Sequence, residues 1–181
     1  MATDELELLN GLTIDEVLKT WFKYDCRSSE PEFVLILGNV GGKTRLRHER
    51  YAESHVNVDA GDIFRRLTGD RIFDFPGEHR AIINMVGRMI AEVAISEKFN
   101  LVTELHHPGY PALKALSDAM LGIGYKLQVN IIELDFEEAQ RRNLARGPHN
   151  ISAYYTDEFH VRWLMDAVAR ENKPASGGLA A

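Results

Sequence analysis

The stretch that decides the fold is Phe33-Val34-Leu35-Ile36-Leu37-Gly38-Asn39-Val40-Gly41-Gly42-Lys43-Thr44. Its first five residues form an unbroken apolar run of strand length, the pattern of a strand covered on both faces, as in a parallel sheet. Three glycines follow within five positions, then a lysine and a threonine, and the polar segment 43–54 reads as a helix. Glycines let the backbone curl until successive N–H groups face one point, and the start of the next helix adds the positive end of its dipole. Strand, glycine turn and helix, in that order, is the arrangement that holding a phosphate requires.

Read this way, the turn is a P-loop for ATP or GTP. The backbone of Gly38, Asn39, Val40, Gly41 and Gly42 would cradle the phosphates, Lys43 would reach the β- and γ-phosphates, and the Thr44 hydroxyl would bind Mg²⁺. The spacing departs from G-x-x-x-x-G-K-[ST]. Counting back from Gly42 and Lys43 puts Leu37 at the first glycine position, whereas taking Gly38 as that glycine leaves the loop one residue short. The plain alternative is a glycine-rich turn with an incidental Gly-Lys-Thr, and the strand before it and helix after it favour the phosphate reading.

Outward from this stretch, strands alternate with helices. Thr13-Ile14-Asp15-Glu16 fits a capping box and opens an N-terminal helix at about 13–24. Second, third and fourth strands are predicted over 55–58, 101–104 and 127–134, and a helical stripe of apolar residues fills 78–98. Residues 68–77 read as a loop, 111–121 as a helix stopped near Gly122 and Gly124, and two further helices are expected after Asp135 and over 156–171. This order implies right-handed crossovers and a three-layer α/β fold, a central parallel sheet of four or five strands flanked by helices, as in P-loop NTPases. One domain is expected over 1–173, with a flexible tail at 174–181.

Bulk properties narrow the function. A chain of 181 residues supports one full core. No apolar run approaches the length of a membrane span, and the N-terminus lacks the basic cluster of a secretory signal. A single cysteine, Cys26, rules out an internal disulfide and suits a reducing, cytoplasmic setting. The net charge of −6 disfavours broad nucleic-acid binding, which needs a basic surface.

Four more groups are candidates. Asp59 and Asp62 follow the second strand, at the sheet edge where open parallel sheets bind ligands. Asp62 can orient and deprotonate an acceptor hydroxyl. Asp59 serves equally well as a substrate contact or a helix cap. Glu104 ends the third strand on the same edge and could hold the acceptor or, through water, the metal; the alternative is a solvent-facing carboxylate. Arg65 and His106 are further candidates for acceptor contacts; the alternatives are a charge cluster of Arg65 with Asp62 and Arg66, and a polar loop role for His106. Arg142 and Arg146 lie four apart on one helix, and their guanidinium forks suit phosphoryl oxygens; the alternative is a solvated face paired with Glu137 and Glu138. Arg45, Arg47, His48 and Arg50 read mostly as a solvated helix, and no cysteine–histidine set has the spacing of a zinc site.

The ordered set Gly42-Lys43-Thr44, Asp62-Ile63-Phe64, Asn100-Leu101-Val102-Thr103-Glu104, Gly124-Tyr125 and Arg141 to Arg146 resembles the zeta-toxin-family P-loop kinases over roughly 33–146. The resemblance implies Lys43 and the loop amides on nucleotide phosphates, Asp62 as base, and Arg142 or Arg146 as the transition-state clamp. It also implies a UDP-linked amino sugar as acceptor and an antitoxin protein as partner. Two departures are the irregular loop and Leu105-His106-His107-Pro108-Gly109, where the family often has Gly-Thr.

The expected activity is thus transfer of the γ-phosphoryl group of ATP or GTP, with Mg²⁺, to a hydroxyl of a small acceptor. A nucleic-acid or nucleoside kinase is the second reading. A catalytically impaired nucleotide-binding or protein-interaction module is the third.

Overall fold

Four runs rich in aliphatic residues pair in parallel in the computed structural model, which describes residues 14–22, 25–38, 42–68, 80–105, 110–132, 137, 138, 141, 142 and 145. They are β1 (Glu32–Gly38), β2 (Val56–Asn57), β3 (Leu101–Leu105) and β4 (Lys126–Ile132), in the spatial order β2-β3-β1-β4. The described helices are α1 (Ile14–Trp21), α2 (Lys43–Tyr51), α3 (Ala60–Thr68), α4 (Arg80–Ser96) and α5 (Tyr110–Gly122).

The apolar run Phe33–Leu37 lies in β1, an interior strand that pairs with β3 on one side and β4 on the other. Successive strand residues point to opposite faces. Phe33, Leu35 and Leu37 therefore enter one core, with residues such as Ile63, Phe64, Val86 and Ile90 of α3 and α4. Val34 and Ile36 enter a smaller core beneath α2, with Tyr51 and Val102. Val34, Leu35 and Ile36 have no exposed surface. At about 1.5–3 kcal/mol for each fully buried aliphatic side chain, this central strand anchors both layers. The result is the expected three-layer α/β P-loop NTPase architecture.

The crossover order fixes where a ligand can bind. From β1 the chain runs outward to β2, returns to β3 and then passes to β4 on the other side of β1. The strand order reverses at β1, so the carboxyl end of β1 is the switch point where this class of sheet binds ligands. Gly38 ends β1 there with φ +138°, and a Cβ at that position would lie 2.6 Å from the Ile132 carbonyl oxygen of β4. Close approach of β4, as well as the turn, demands glycine. Gly124 (φ +92°) turns the chain out of α5. The buried Tyr125 hydroxyl then donates to Phe99 O at 2.8 Å, tying β4 to the entry of β3.

Element boundaries differ in detail from the sequence reading. Helix α1 stops at Trp21 instead of Tyr24, and Phe22 leaves the helix to pack its ring on Phe99, with centroids 5.2 Å apart. Strand β2 has two residues where four were expected: the N–H of His55 still closes the turn after α2 by donating to Tyr51 O, although the N–H of Val58 donates to Val102 O at 3.0 Å. The loop at 68–77 is described only at Thr68. The helix over 156–171 and the tail at 174–181 lie outside the described residues. No described helix is long and apolar enough to cross a membrane.

Replacing Gly38 by alanine should lower the unfolding free energy by about 1–3 kcal/mol, combining a strained φ with a clash on backbone. Urea unfolding of Gly38→Ala against wild type measures it, with Gly122→Ala as a control because a Cβ there meets nothing within 4 Å.

Candidate functional site

Three segments bring polar side chains to one end of the sheet: the junction from β1 to α2, the segment from β2 to α3, and the carboxyl end of β3. At the junction, Gly42 takes φ +104°, and α2 begins at Lys43. Lys43 is 2% exposed, and its Nζ donates to the Gly38 carbonyl at 2.8 Å. The amine is thereby folded back to the end of β1. Thr44 follows, and its hydroxyl donates to Glu104 Oε2 at 3.0 Å.

Register explains the meeting of Thr44 with Glu104. The parallel pairing sets Ile36 beside Glu104 and Leu37 beside Leu105, so β3 ends level with the start of the turn. Glu104 is buried, which excludes the solvent-facing alternative. Its second oxygen accepts from Arg47 Nε at 2.6 Å, and both side chains of this pair are about 5% exposed or less. Arg47 is thus a buried member of the site, where the sequence suggested a solvated helix. The missed signal is spacing: Lys43, Arg47 and Tyr51 recur every four residues and are the buried residues of α2.

Asp59 and Asp62 divide the roles left open between them. Asp59 precedes α3, and its Oδ1 accepts the Asp62 N–H at 2.9 Å, the geometry of an N-cap. Asp62, within the first turn, is buried, with a partner on each carboxylate oxygen. Its Oδ2 accepts from Asn57 Nδ2 at 2.9 Å and lies 3.4 Å from Arg66 Nε, and its Oδ1 accepts from Arg65. Asn57 was not singled out from the sequence, and only its place at the end of β2 points to it. Arg66 also lies over the Trp21 ring at 4.2 Å and donates to Thr20 O, so α1 is linked to Asp62 through one side chain.

The electrostatics of the two aspartates diverge. Burial pushes Asp59 up to about 6, helped by the neighbouring Glu104 charge. For Asp62 burial is also the largest single influence and would raise its pKa. The guanidiniums of Arg66, Arg47 and Arg65 and the hydrogen bond from Arg65 together outweigh it, so this carboxyl titrates below the usual carboxylate range.

Of the other expected site residues, Arg142 is described and is paired with Glu138, its Nε 2.6 Å from Oε1, with Arg141 on the same carboxylate. This is the charge pairing that the sequence offered as the alternative to a clamp. Asn39, Val40, Gly41, His106 and Arg146 lie outside the described residues.

The residues present fit a nucleotide with its cation. Two glycines with positive φ flank the turn, a buried ammonium faces it, and the hydroxyl and carboxylate oxygens of Thr44 and Glu104 are the hard donors that Mg²⁺ takes. Among the described residues no three histidine, cysteine, aspartate or glutamate side chains form a metal cluster.

Fold and site together define the chain as an α/β protein of the P-loop NTPase fold. Among solved structures, it is similar to a chain from the PezAT chromosomal toxin–antitoxin system of the human pathogen Streptococcus pneumoniae. The two share 17% identity with a TM-score of 0.61, over 93% of this chain and 75% of the other. It is also similar to a chain of the Pnkp1/Rnl/Hen1 RNA repair complex, at 16% identity and a TM-score of 0.57, over 81% of this chain and 48% of the other. The chain thus spans about half the length of that second protein. No family model matches the sequence, and no curated protein does.

The Asp59 carboxyl supplies a pH test. Its native value of about 6 exceeds the ordinary 3.8, so its contribution to stability is fully present below about pH 4 and is lost as pH rises through 6. Asp59→Asn keeps the capping oxygen and removes the titration. Between pH 4 and 7 the variant should gain about 1–3 kcal/mol relative to wild type in unfolding free energy. Paired urea titrations at the two pH values measure the change, and a constant difference would show that Asp59 titrates normally.

Proposed function

We propose that the protein is a P-loop kinase that transfers the γ-phosphoryl group of ATP or GTP to a hydroxyl of a small acceptor. The observation that carries this reading is the convergence of a buried lysine at the glycine turn with the Thr44–Glu104 oxygen pair and the guanidinium-flanked Asp62 on one sheet edge.

In this reading Lys43 leaves the Gly38 carbonyl to hold the β- and γ-phosphates, with the amides of the turn around them. Thr44 would hold Mg²⁺, with Glu104 fixing the hydroxyl and, through water, the ion. Bound there, the ion would neutralise charge on the phosphates. Asp62 orients the acceptor hydroxyl. The acceptor oxygen forms the new bond to the γ-phosphorus, the bond from that phosphorus to the bridging oxygen breaks, the nucleoside diphosphate leaves, and the hydroxyl proton passes to Asp62. A loose transition state makes modest demands on the base, which suits a carboxylate held ionised by three arginines. Arg142 or Arg146 would complete the clamp after Arg142 releases Glu138.

The acceptor class is narrower ground. A UDP-linked amino sugar follows from the zeta-toxin resemblance, and an antitoxin partner is in keeping with the toxin–antitoxin origin of one structural neighbour. A nucleic-acid or nucleoside acceptor gains support from Arg65 and Arg66. Their side chains are 40% and 39% exposed beside Asp62, where they could meet a phosphate on the acceptor.

The test is transfer of label from γ-labelled ATP or GTP with Mg²⁺ to a panel of UDP-sugars, nucleosides and oligonucleotides. Label is expected on one acceptor class. Asp62→Asn should cost about 10²–10⁴ in kcat while nucleotide still binds, and Lys43→Ala should abolish transfer. Absence of both transfer and nucleotide binding at millimolar concentration would overturn the kinase reading in favour of a protein-interaction module.

A further inference from the structure

We propose that Arg47 is a positioning residue of this site, holding Glu104 in the orientation that engages the Thr44 hydroxyl, so that the oxygen pair for the nucleotide's divalent cation is built before any ligand arrives. The inference deepens the nucleotide-site reading of Lys43 and Thr44 and rests on it.

The geometry is a two-point clamp. Arg47 Nε donates to Glu104 Oε1 at 2.6 Å, and the Thr44 hydroxyl donates to Oε2 at 3.0 Å. Thr44 and Arg47 are three residues apart on α2, so one helix presents both donors to one carboxylate. With both oxygens engaged, the carboxylate cannot rotate without breaking a bond. The Thr44 oxygen, which spends its proton on Glu104, keeps lone pairs for a cation.

Burial makes the pair informative. The Arg47 and Glu104 side chains are 5% and 4% exposed. A buried ion pair is often no more stabilising than apolar side chains of the same size, so its presence here is better explained by orientation than by stability. Lys43 and Arg47 are the buried lysine and arginine among the described residues, and both lie on the face of α2 that meets the site. Arg47 also acts through its charge on Asp59 and Asp62, whose other charged neighbours are Glu104 and Asp62 for the first and Arg65 and Arg66 for the second. An arginine serving only to cover the helix would engage none of these groups.

The sign of the effect separates positioning from simple charge. If Arg47 acted only as a nearby cation, its removal would make the site more negative and tighten cation binding. If it positions Glu104, its removal should weaken cation binding, because losing an outer partner of a ligand typically costs about 10–100-fold.

The experiment measures binding of a fluorescent ATP analogue to the full chain, with Mn²⁺ and with chelator, alongside the Mn²⁺ EPR spectrum. Arg47→Met and Glu104→Gln should each weaken Mn²⁺–nucleotide binding by about 10–100-fold and leave binding in chelator within about twofold. The double variant should be no weaker than the weaker single, since both act through one contact. Arg47→Lys should recover part of the loss, restoring the charge without the fork. Unchanged or tighter Mn²⁺–nucleotide binding in Arg47→Met, or additive losses in the double variant, would overturn the proposal while leaving the nucleotide site standing. Failure of the wild type to bind nucleotide at all would overturn both readings. Should Arg47→Met not fold, Arg47→Lys and the charge-neutral double variant decide the question by the same comparison.

Discussion

The site depends on the register of three parallel strands. Pairing Leu35 with Thr103 and Ile36 with Glu104 brings the end of β3 level with the turn out of β1, and pairing Gly38 with Ile132 presses β4 against the same turn. In a sheet, a slip of one residue exchanges the two faces. Such a slip would bury Glu104 in the wrong layer and set Thr103 against the turn. The alternation of Phe33, Leu35 and Leu37 with Val34 and Ile36 between two separate cores opposes that slip. Hydrophobic packing at the middle of β1 thus holds polar atoms in place at its end.

The polar atoms impose a cost that the local structure offsets. Burying a carboxylate without a partner is expensive, and burying two close together is more so. Glu104 and Asp62 are both buried, with Asp59 close by. The compensating cations arrive from two helices: Arg47 from α2, Arg65 and Arg66 from α3. The Asp59–Asp62 contact spends one carboxylate oxygen on capping α3, which fixes the helix carrying two of those arginines. Arg66 passes the constraint on to α1 through Trp21 and Thr20. The charge cluster is therefore also a packing element joining α1, α2, α3 and β3.

Periodic signals account for the part of this structure that was legible in the sequence. The β1 run, the stripe of α4 and the glycines of the turn each repeat or break a simple pattern, and the layer order could be read from them. The edge placement of Asp62 and Glu104 was legible too, because strand ends in a parallel sheet share an edge. Arg47 was not. Helix α2 buries Lys43, Arg47 and Tyr51, so its inward face is largely polar and an apolar stripe never forms. Only the four-residue step from Lys43, a residue already assigned to the interior of the site, carries that information. Asn57 was hidden for a different reason: β2 is two residues long, too short for alternation to mark which side chain faces Asp62. Arg142 illustrates the converse, since its four-residue spacing from Glu138 foretold the ion pair it makes.

The irregular turn can be weighed against this geometry. Its departure from the usual spacing lies before Gly42, in the part that would wrap the phosphates. The groups after it are set by other constraints. Lys43 and Thr44 open a helix whose position is fixed by Tyr51 packing in the smaller core and by Arg47 on Glu104. Shortening the loop by one residue changes how many amides can face a phosphate. The contact between Thr44 and Glu104 lies outside the loop, between α2 and β3. Gly38 absorbs the change in chain direction with a backbone angle that side chains rarely adopt, against β4 on its other side. Loop length and charge placement are therefore separable properties of this fold, and a chain can depart from the standard pattern in the first while keeping the second.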